Sequence, residues 1–329
     1  MTGHAVDLRS FDGMTARELA DTLRRRNLAF RTRIVQVMLL SALTLRPLPT
    51  DVTDHIAEFA SELGVDDAMI TVAREFARGS LGLAAIDFER NGYTATWHPD
   101  EAAALHTSKE LQSAWDVTVA DTALAARWSG LEALGPDTLG RKVWELYRAR
   151  GFSFPGTPGS APPLLAQHDW VHVLADYGTT VESELEVFAF VARANDDMRA
   201  FSLLAMVISL FETGYLRTGA GLFESSTGHL TDRVAIRLAD GMGRGARCHD
   251  ASTGSGSIDF LRIDWFALAP LRLGAVREQF GVGPKSAAAI AAGSVGPWEP
   301  GGISPFQINA GRDLARQLGH AYESFGAEP

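Results

Sequence analysis

QHDWVHVLADYGTTVESE, residues 167–184, places two histidines and four carboxylates in one short amphipathic stretch. On an α-helix, at about 100° per residue, His168 and His172 project about 40° apart and Asp169 about 100° from His168, so all three leave one side of the helix. Glu184 would lie about 18 Å beyond His172 if that helix ran straight, too far to share a ligand with it. The intervening residues can fold the chain back. Gly178 is able to end a helix in the left-handed conformation, and Thr179 with Glu182 has the spacing of a capping box for the next one. The stretch therefore predicts two antiparallel helices, and with them a helical fold.

On the second helix the apolar side is marked by Val181, Leu185, Phe188, Ala189 and Ala192. Glu184 lies within about 60° of that direction on the helical wheel, while Glu182 and Glu186 point further out. A carboxylate turned inward must be paired, protonated or bound to a cation. His168, Asp169, His172 and Glu184 from two facing helices form a ligand set of the kind helical bundles build, suited to zinc, iron or manganese rather than to the all-oxygen preferences of magnesium and calcium. The same residues also fit a hydrogen-bonded histidine pair with Asp169 as partner and Glu184 on the surface. Asp176, one turn after His172, is either an acceptor orienting that imidazole or a solvated helix-end residue.

Outward from this hairpin, helical periodicity dominates. Residues 15–45 open with Thr15 and Glu18 at capping-box spacing and run to the stop at Pro47 and Pro49; Thr50–Leu63 and Asp66–Arg78 follow, with Gly64 as a C-cap. Gly79–Pro99 reads as a linker or a short strand pair. Gly-rich turns are expected near 214–221, 241–245 and 254–256, and a last helix near 309–324. With no alternation of strands and helices, the fold class is all-α. The expected domains are a helical N-terminal module at 1–95, a metal-binding helical domain at 100–285, and a loop with a C-terminal helix at 286–329.

A formal charge of -10 over 329 residues argues against wholesale binding of nucleic acid. The single cysteine, Cys248, excludes an intramolecular disulfide and a thiolate zinc cluster. FSLLAMVISLF, at 201–211, is shorter than the roughly 20 residues needed to span a bilayer and reads as core. The N-terminus lacks the apolar region of a secretory signal. A cytoplasmic protein is expected, with peripheral contact to the inner face of a membrane as an option. Arg233 and Arg237, spaced i,i+4, with Arg244 and Arg247 nearby, are either a solvated basic face or the counter-charge for an anionic substrate. Cys248, His249 and Asp250 read as a loop, since adjacent residues converge poorly on one ion. The GMGRG run follows a helical stretch rather than a strand and is discounted as a nucleotide loop.

The pattern His168, Asp169, His172 and, eleven residues on, Glu184 resembles the signature of the Coq-four family of ubiquinone-biosynthesis proteins. PDTLGRKVWELYRARGF at 136–152 and VHVLADYG are similar to segments flanking that signature, and the likeness covers residues of about 115–280. It implies an all-helical, often dimeric protein peripheral to membranes, a divalent metal held by His168, Asp169, His172 and Glu184, and a groove for a polyprenyl chain. It further implies either oxidative decarboxylation of a prenylated aromatic precursor or a scaffolding role in a biosynthetic complex. The apolar 201–211 helix and Trp265/Phe266 could line such a groove, though ordinary core accounts for both. A third class is the histidine-aspartate metal phosphohydrolases, which need a further His and Asp; His106 and Asp196 or Asp197 are the candidates.

Overall fold

The computed structural model describes residues 13–45, 47–66, 70, 71, 74, 120–158, 160, 161, 163–195, 200–208 and 228–327. Their secondary structure is helical, and among the described residues the β contacts are two isolated bridges, Thr138 with Arg272 and Asp250 with Ser255. The chain forms two compact units, one holding most of the N-terminal residues and the other the opening hairpin.

In the first unit, α1 (Ala16–Leu23) begins with the Thr15–Glu18 capping box, in which Glu18 accepts from the Thr15 amide at 2.9 Å. The run over 15–45 is two helices, not one. Asn27 accepts from the Phe30 amide at 2.9 Å and starts α2 (Leu28–Ala42), a local side-chain bond that competes with helix continuation and resets the axis. α3 (Thr50–Glu62) ends at Gly64 with φ 65°, the expected left-handed cap. Of Asp66–Arg78, most lies outside the described residues, as does Gly79–Pro99.

The second unit is built around the predicted hairpin. α4 (Thr122–Ser129) is capped by Asp121, α5 (Leu139–Arg150) by Thr138, and α6 (Pro163–Ala175) opens with proline at its first position, where the missing N–H costs nothing. α7 (Val181–Ala194) follows α6 after a five-residue turn, capped by Thr180 rather than Thr179. The core helix α8 (Phe201–Val207) belongs to the first unit, where Arg33 lies over the Phe201 ring at 4.1 Å. The chain then returns to the second unit with α9 (Asp232–Gly245), α10 (Trp265–Leu268), α11 (Leu273–Gln279), α12 (Ala287–Ala291) and α13 (Pro305–Gln317). Residues after 285 thus pack in the same unit as the hairpin. Trp170, Trp265 and Phe260 stack in its core, which settles the Trp265 side chain as core.

α7 is sheathed on more than one side. From Val181 to Ala194 only Glu182 and Arg193 escape burial. The reason lies in α9, which packs closely along it. The expected turn at 241–245 is the last part of that helix, and Gly241 and Gly245, four apart on one face, let the two backbones touch. A Cβ on Gly245 would sit 2.2 Å from the Phe190 carbonyl oxygen, and one on Gly241 3.0 Å from that of Glu186. In an open helix Gly→Ala stabilises by about 1 kcal/mol. Here the sign reverses: Gly245→Ala is expected to destabilise by about 1–3 kcal/mol in urea unfolding, because backbone cannot yield as a side chain would. A midpoint at or above that of the native chain would contradict the close packing.

Candidate metal centre

The hairpin brings the four residues to one place. His168, Asp169 and His172 of α6 are buried, and each offers a ligand atom within 4.8 Å of the others. From α7, Glu184 sets Oε2 3.3 Å from His168 Nε2 and Oε1 3.3 Å from His172 Nε2. His168 Nε2 is also 3.5 Å from Asp169 Oδ1. The two imidazoles meet edge to face at 5.2 Å, and Phe188 of α7 packs against His168 at 5.0 Å. His172 is fully enclosed, whereas His168, Asp169 and Glu184 retain 6–7% exposure, so what access there is lies on their side.

Each side chain is held from behind. The second oxygen of Asp169 accepts from the Tyr147 hydroxyl of α5 at 2.5 Å. His172 Nδ1 lies 2.7 Å from the Gly178 carbonyl oxygen. A carbonyl can only accept, so Nδ1 carries the proton and the lone pair of the neutral ring is on Nε2. That Nε2 atom is buried and makes no hydrogen bond among the described residues, although Glu184 stands at ion-pair distance. In the neutral ring that buried lone pair has no donor, and either a bound cation or a proton paired with Glu184 satisfies it.

Burial drives the two carboxylates in one direction and their neighbours in the other. For Asp169 burial dominates and raises the pKa, against the His168 and His172 charges and the Tyr147 hydrogen bond. For Glu184 burial also pushes upward, but when His172 and His168 are protonated their charge and proximity outweigh it and hold the group below its ordinary range. In the metal-free protein the two carboxylates are thus shifted in opposite directions, Asp169 up and Glu184 down.

Donor chemistry fits a borderline divalent ion. Two imidazole nitrogens and carboxylate oxygens suit zinc, iron or manganese, and the set offers nitrogen where magnesium and calcium prefer oxygen.

The remaining expectations fall elsewhere. The left-handed residue in the turn is Asp176, φ 64°, not Gly178; its carboxylate meets Lys285 Nζ at 3.1 Å and is half in solvent, so it is not the acceptor for His172. Glu186, placed outward on the wheel, is fully buried because α9 covers that side, and it pairs with Arg237 at 2.7 Å. Arg237 Nη2 also lies 3.4 Å from Ser183 Oγ, and Arg233 Nε donates to the Ala292 carbonyl at 3.3 Å, so the structure gives both arginines partners within the protein. Cys248 is buried, its thiol pushed up to about 12 by burial, while Asp250 makes a local turn with Ser252; the trio does not converge. His106, Asp196 and Asp197 lie outside the described residues. Sequence reasoning missed Tyr147 and the Gly178 carbonyl. No spacing rule could have found Tyr147, twenty-two residues from its partner. The carbonyl had a weaker signal, the short turn itself.

Fold and site define an all-helical protein with a buried His/Asp/His group able to hold a metal ion and a glutamate beside it. No protein-family model matches the chain, and no curated protein does. Among solved structures, a protein of Nostoc punctiforme PCC 73102 assigned, by name only, to ubiquinone biosynthesis aligns with 77% of this chain and 97% of its own, at 17% identity and a TM-score of 0.32. At that score the likeness carries no argument. No described helix is long and apolar enough to cross a membrane.

Proposed function

We propose that the chain is a metal-dependent enzyme acting on a lipophilic aromatic acid, a prenylated quinone precursor in type, and exchanging the ring carboxyl for hydroxyl. The observation that carries it is the buried convergence of His168, Asp169 and His172 with Glu184 at 3.3 Å from both imidazoles, in the residue pattern that resembles the Coq-four signature. His168, Asp169, His172 and Glu184 would hold the ion, which when bound supplies Lewis acidity and open coordination positions. The chain's own residues do the rest. Tyr147 and the Gly178 carbonyl fix the Asp169 and His172 side chains, Phe188 keeps the His168 edge apolar, and Glu184 or Asp169 would alternate between holding the ion and accepting a proton. In the reaction the carboxyl leaves as carbon dioxide, water supplies the hydroxyl oxygen, and two protons and two electrons are released, the electrons to dioxygen or a quinone. The protein would work in the cytoplasm, against the inner face of a membrane, as a homodimer or within a biosynthetic complex.

Near-complete enclosure of the four residues favours a second reading, a lipid-binding or scaffold protein that keeps the metal for structure. The two separate on one assay. The metal-loaded chain is incubated with a prenylated hydroxybenzoate labelled at the carboxyl carbon, with air or a short-chain quinone as acceptor. Release of labelled carbon dioxide that chelation abolishes supports the enzyme; no release, together with unfolding on chelation, supports the scaffold.

A further inference from the structure

The turn between α6 and α7 is held from outside the hairpin, by α5 and by the C-terminal segment. The Gly178 amide donates to the Val295 carbonyl at 3.0 Å and the Thr179 amide to the Gly302 carbonyl at 2.9 Å. Gln307, in the first turn of α13, grips Thr179 twice: its Nε2 donates to the Thr179 carbonyl at 2.9 Å, and its Oε1 accepts from the Thr179 hydroxyl at 2.8 Å. Arg150, at the end of α5 and fully buried, donates from Nε to the same hydroxyl at 2.6 Å and from Nη2 to the carbonyls of Pro297 and Gly302 at 2.8 and 3.1 Å. There is no slack on the other side, since a Cβ on Gly178 would lie 2.7 Å from the Gly302 carbonyl oxygen. All of these groups belong to one compact unit.

One atom in this turn faces the other way. The Gly178 carbonyl accepts from His172 Nδ1, and so determines both the ring's orientation and which nitrogen is left for the cluster. Helix caps alone do not require this lattice: α7 is started by Thr180, and Gln307 caps α13 through Ser304. What the lattice fixes is the height and direction of the Gly178–Thr179 backbone.

We infer that Thr179, with Gln307 and Arg150 as its anchors, is a positioning residue for the metal centre: it holds the Gly178 carbonyl against His172 Nδ1 and thereby presents Nε2 to the ion. The inference rests on the reading of His168, Asp169, His172 and Glu184 as ligands. It assigns to the C-terminal segment, which supplies none of them, a direct part in the site.

The test compares full-length native, Thr179→Val, Thr179→Ser and Gln307→Glu chains. Valine keeps the shape of threonine and removes the hydroxyl; serine restores it; Gln307→Glu keeps the acceptor for the hydroxyl and for the α13 cap but loses the donor to the Thr179 carbonyl. Two readouts are taken. The first is Co(II) affinity, by competition with a chelator, and the visible spectrum of the bound ion. The second is the His172 tautomer in the metal-free protein, by long-range proton–nitrogen correlation. The native chain is expected to show the Nδ1-protonated ring. Thr179→Val and Gln307→Glu are expected to lose about 10- to 100-fold in Co(II) affinity, with an altered spectrum and mixed tautomers, and Thr179→Ser to recover both. Native affinity and a fixed tautomer in Thr179→Val and Gln307→Glu would overturn the inference, as would failure of serine to rescue. If the native chain binds no Co(II), the metal reading fails by itself, and the tautomer comparison still decides whether Thr179 sets the imidazole.

Discussion

A His172→Ala chain, purified without added ions, is expected to carry little or no divalent metal where the native chain carries about one per molecule. The expectation follows from geometry. His172 is the most enclosed of the four residues and the one whose second nitrogen is locked, so its loss takes away one of the two imidazole nitrogens of the set. Structural four-ligand sites bind with roughly 10–16 kcal/mol, so loss of one ligand costs about 3 kcal/mol, or about two orders of magnitude in affinity, enough to empty the site during purification. Metal analysis on the two proteins, with Glu184→Gln as a shape-preserving control, is the measurement. Equal metal content in native and His172→Ala would remove the site. His172→Ala should also free the Gly178 carbonyl, so its stability is measured alongside, to separate lost ligation from a loosened turn.

Arg237→Met should cost about 3–5 kcal/mol of stability in urea or thermal unfolding. Arg237 and Glu186 face each other at 2.7 Å with Glu186 wholly enclosed, and Glu186 Oε1 and Arg237 Nε have no hydrogen-bond partner among the described residues. Removing the guanidinium leaves a carboxylate in the interior beside the neutral hydroxyls of Ser183 and Tyr177, so it must stay charged at high cost or take up a proton. Desolvation makes the pair itself a weak contributor, and Glu186→Leu with Arg237→Met should recover most of the loss. A loss under about 1 kcal/mol for the single variant would mean that water reaches the pair. The result also bears on an anionic substrate: an arginine whose removal costs this much is engaged by the fold, and a counter-charge would have to come from elsewhere.

The parts of this protein that could be read directly were local ones. A capping box at Thr15–Glu18, a left-handed stop at Gly64 and the fold-back between His172 and Glu184 each depend on residues within one or two turns of one another, where helical geometry converts spacing into position. Where two local signals competed, the reading slipped by small amounts. Thr179 and Thr180 both suit an N-cap, and Thr180 caps because Thr179 is taken by Arg150 and Gln307. Glu186 was misplaced for a different reason: a helical wheel finds one inward direction, and α7, covered by α9 as well, has more than one. Gly241 and Gly245 read as turn residues until the partner helix they admit is known.

The amino-acid sequence by itself determined the helical class and named His168, Asp169, His172 and Glu184 as candidates for one inward-facing set, because all four sit within a single hairpin; that they converge and are buried came from the structure. Tertiary structure alone decided what stands behind them: Tyr147 on Asp169, the Gly178 carbonyl on His172, and the C-terminal segment on Gly178 and Thr179. Most of these contacts join residues tens to more than a hundred positions apart. No periodicity encodes such pairs; they exist only once helices have packed and each buried donor has found its acceptor.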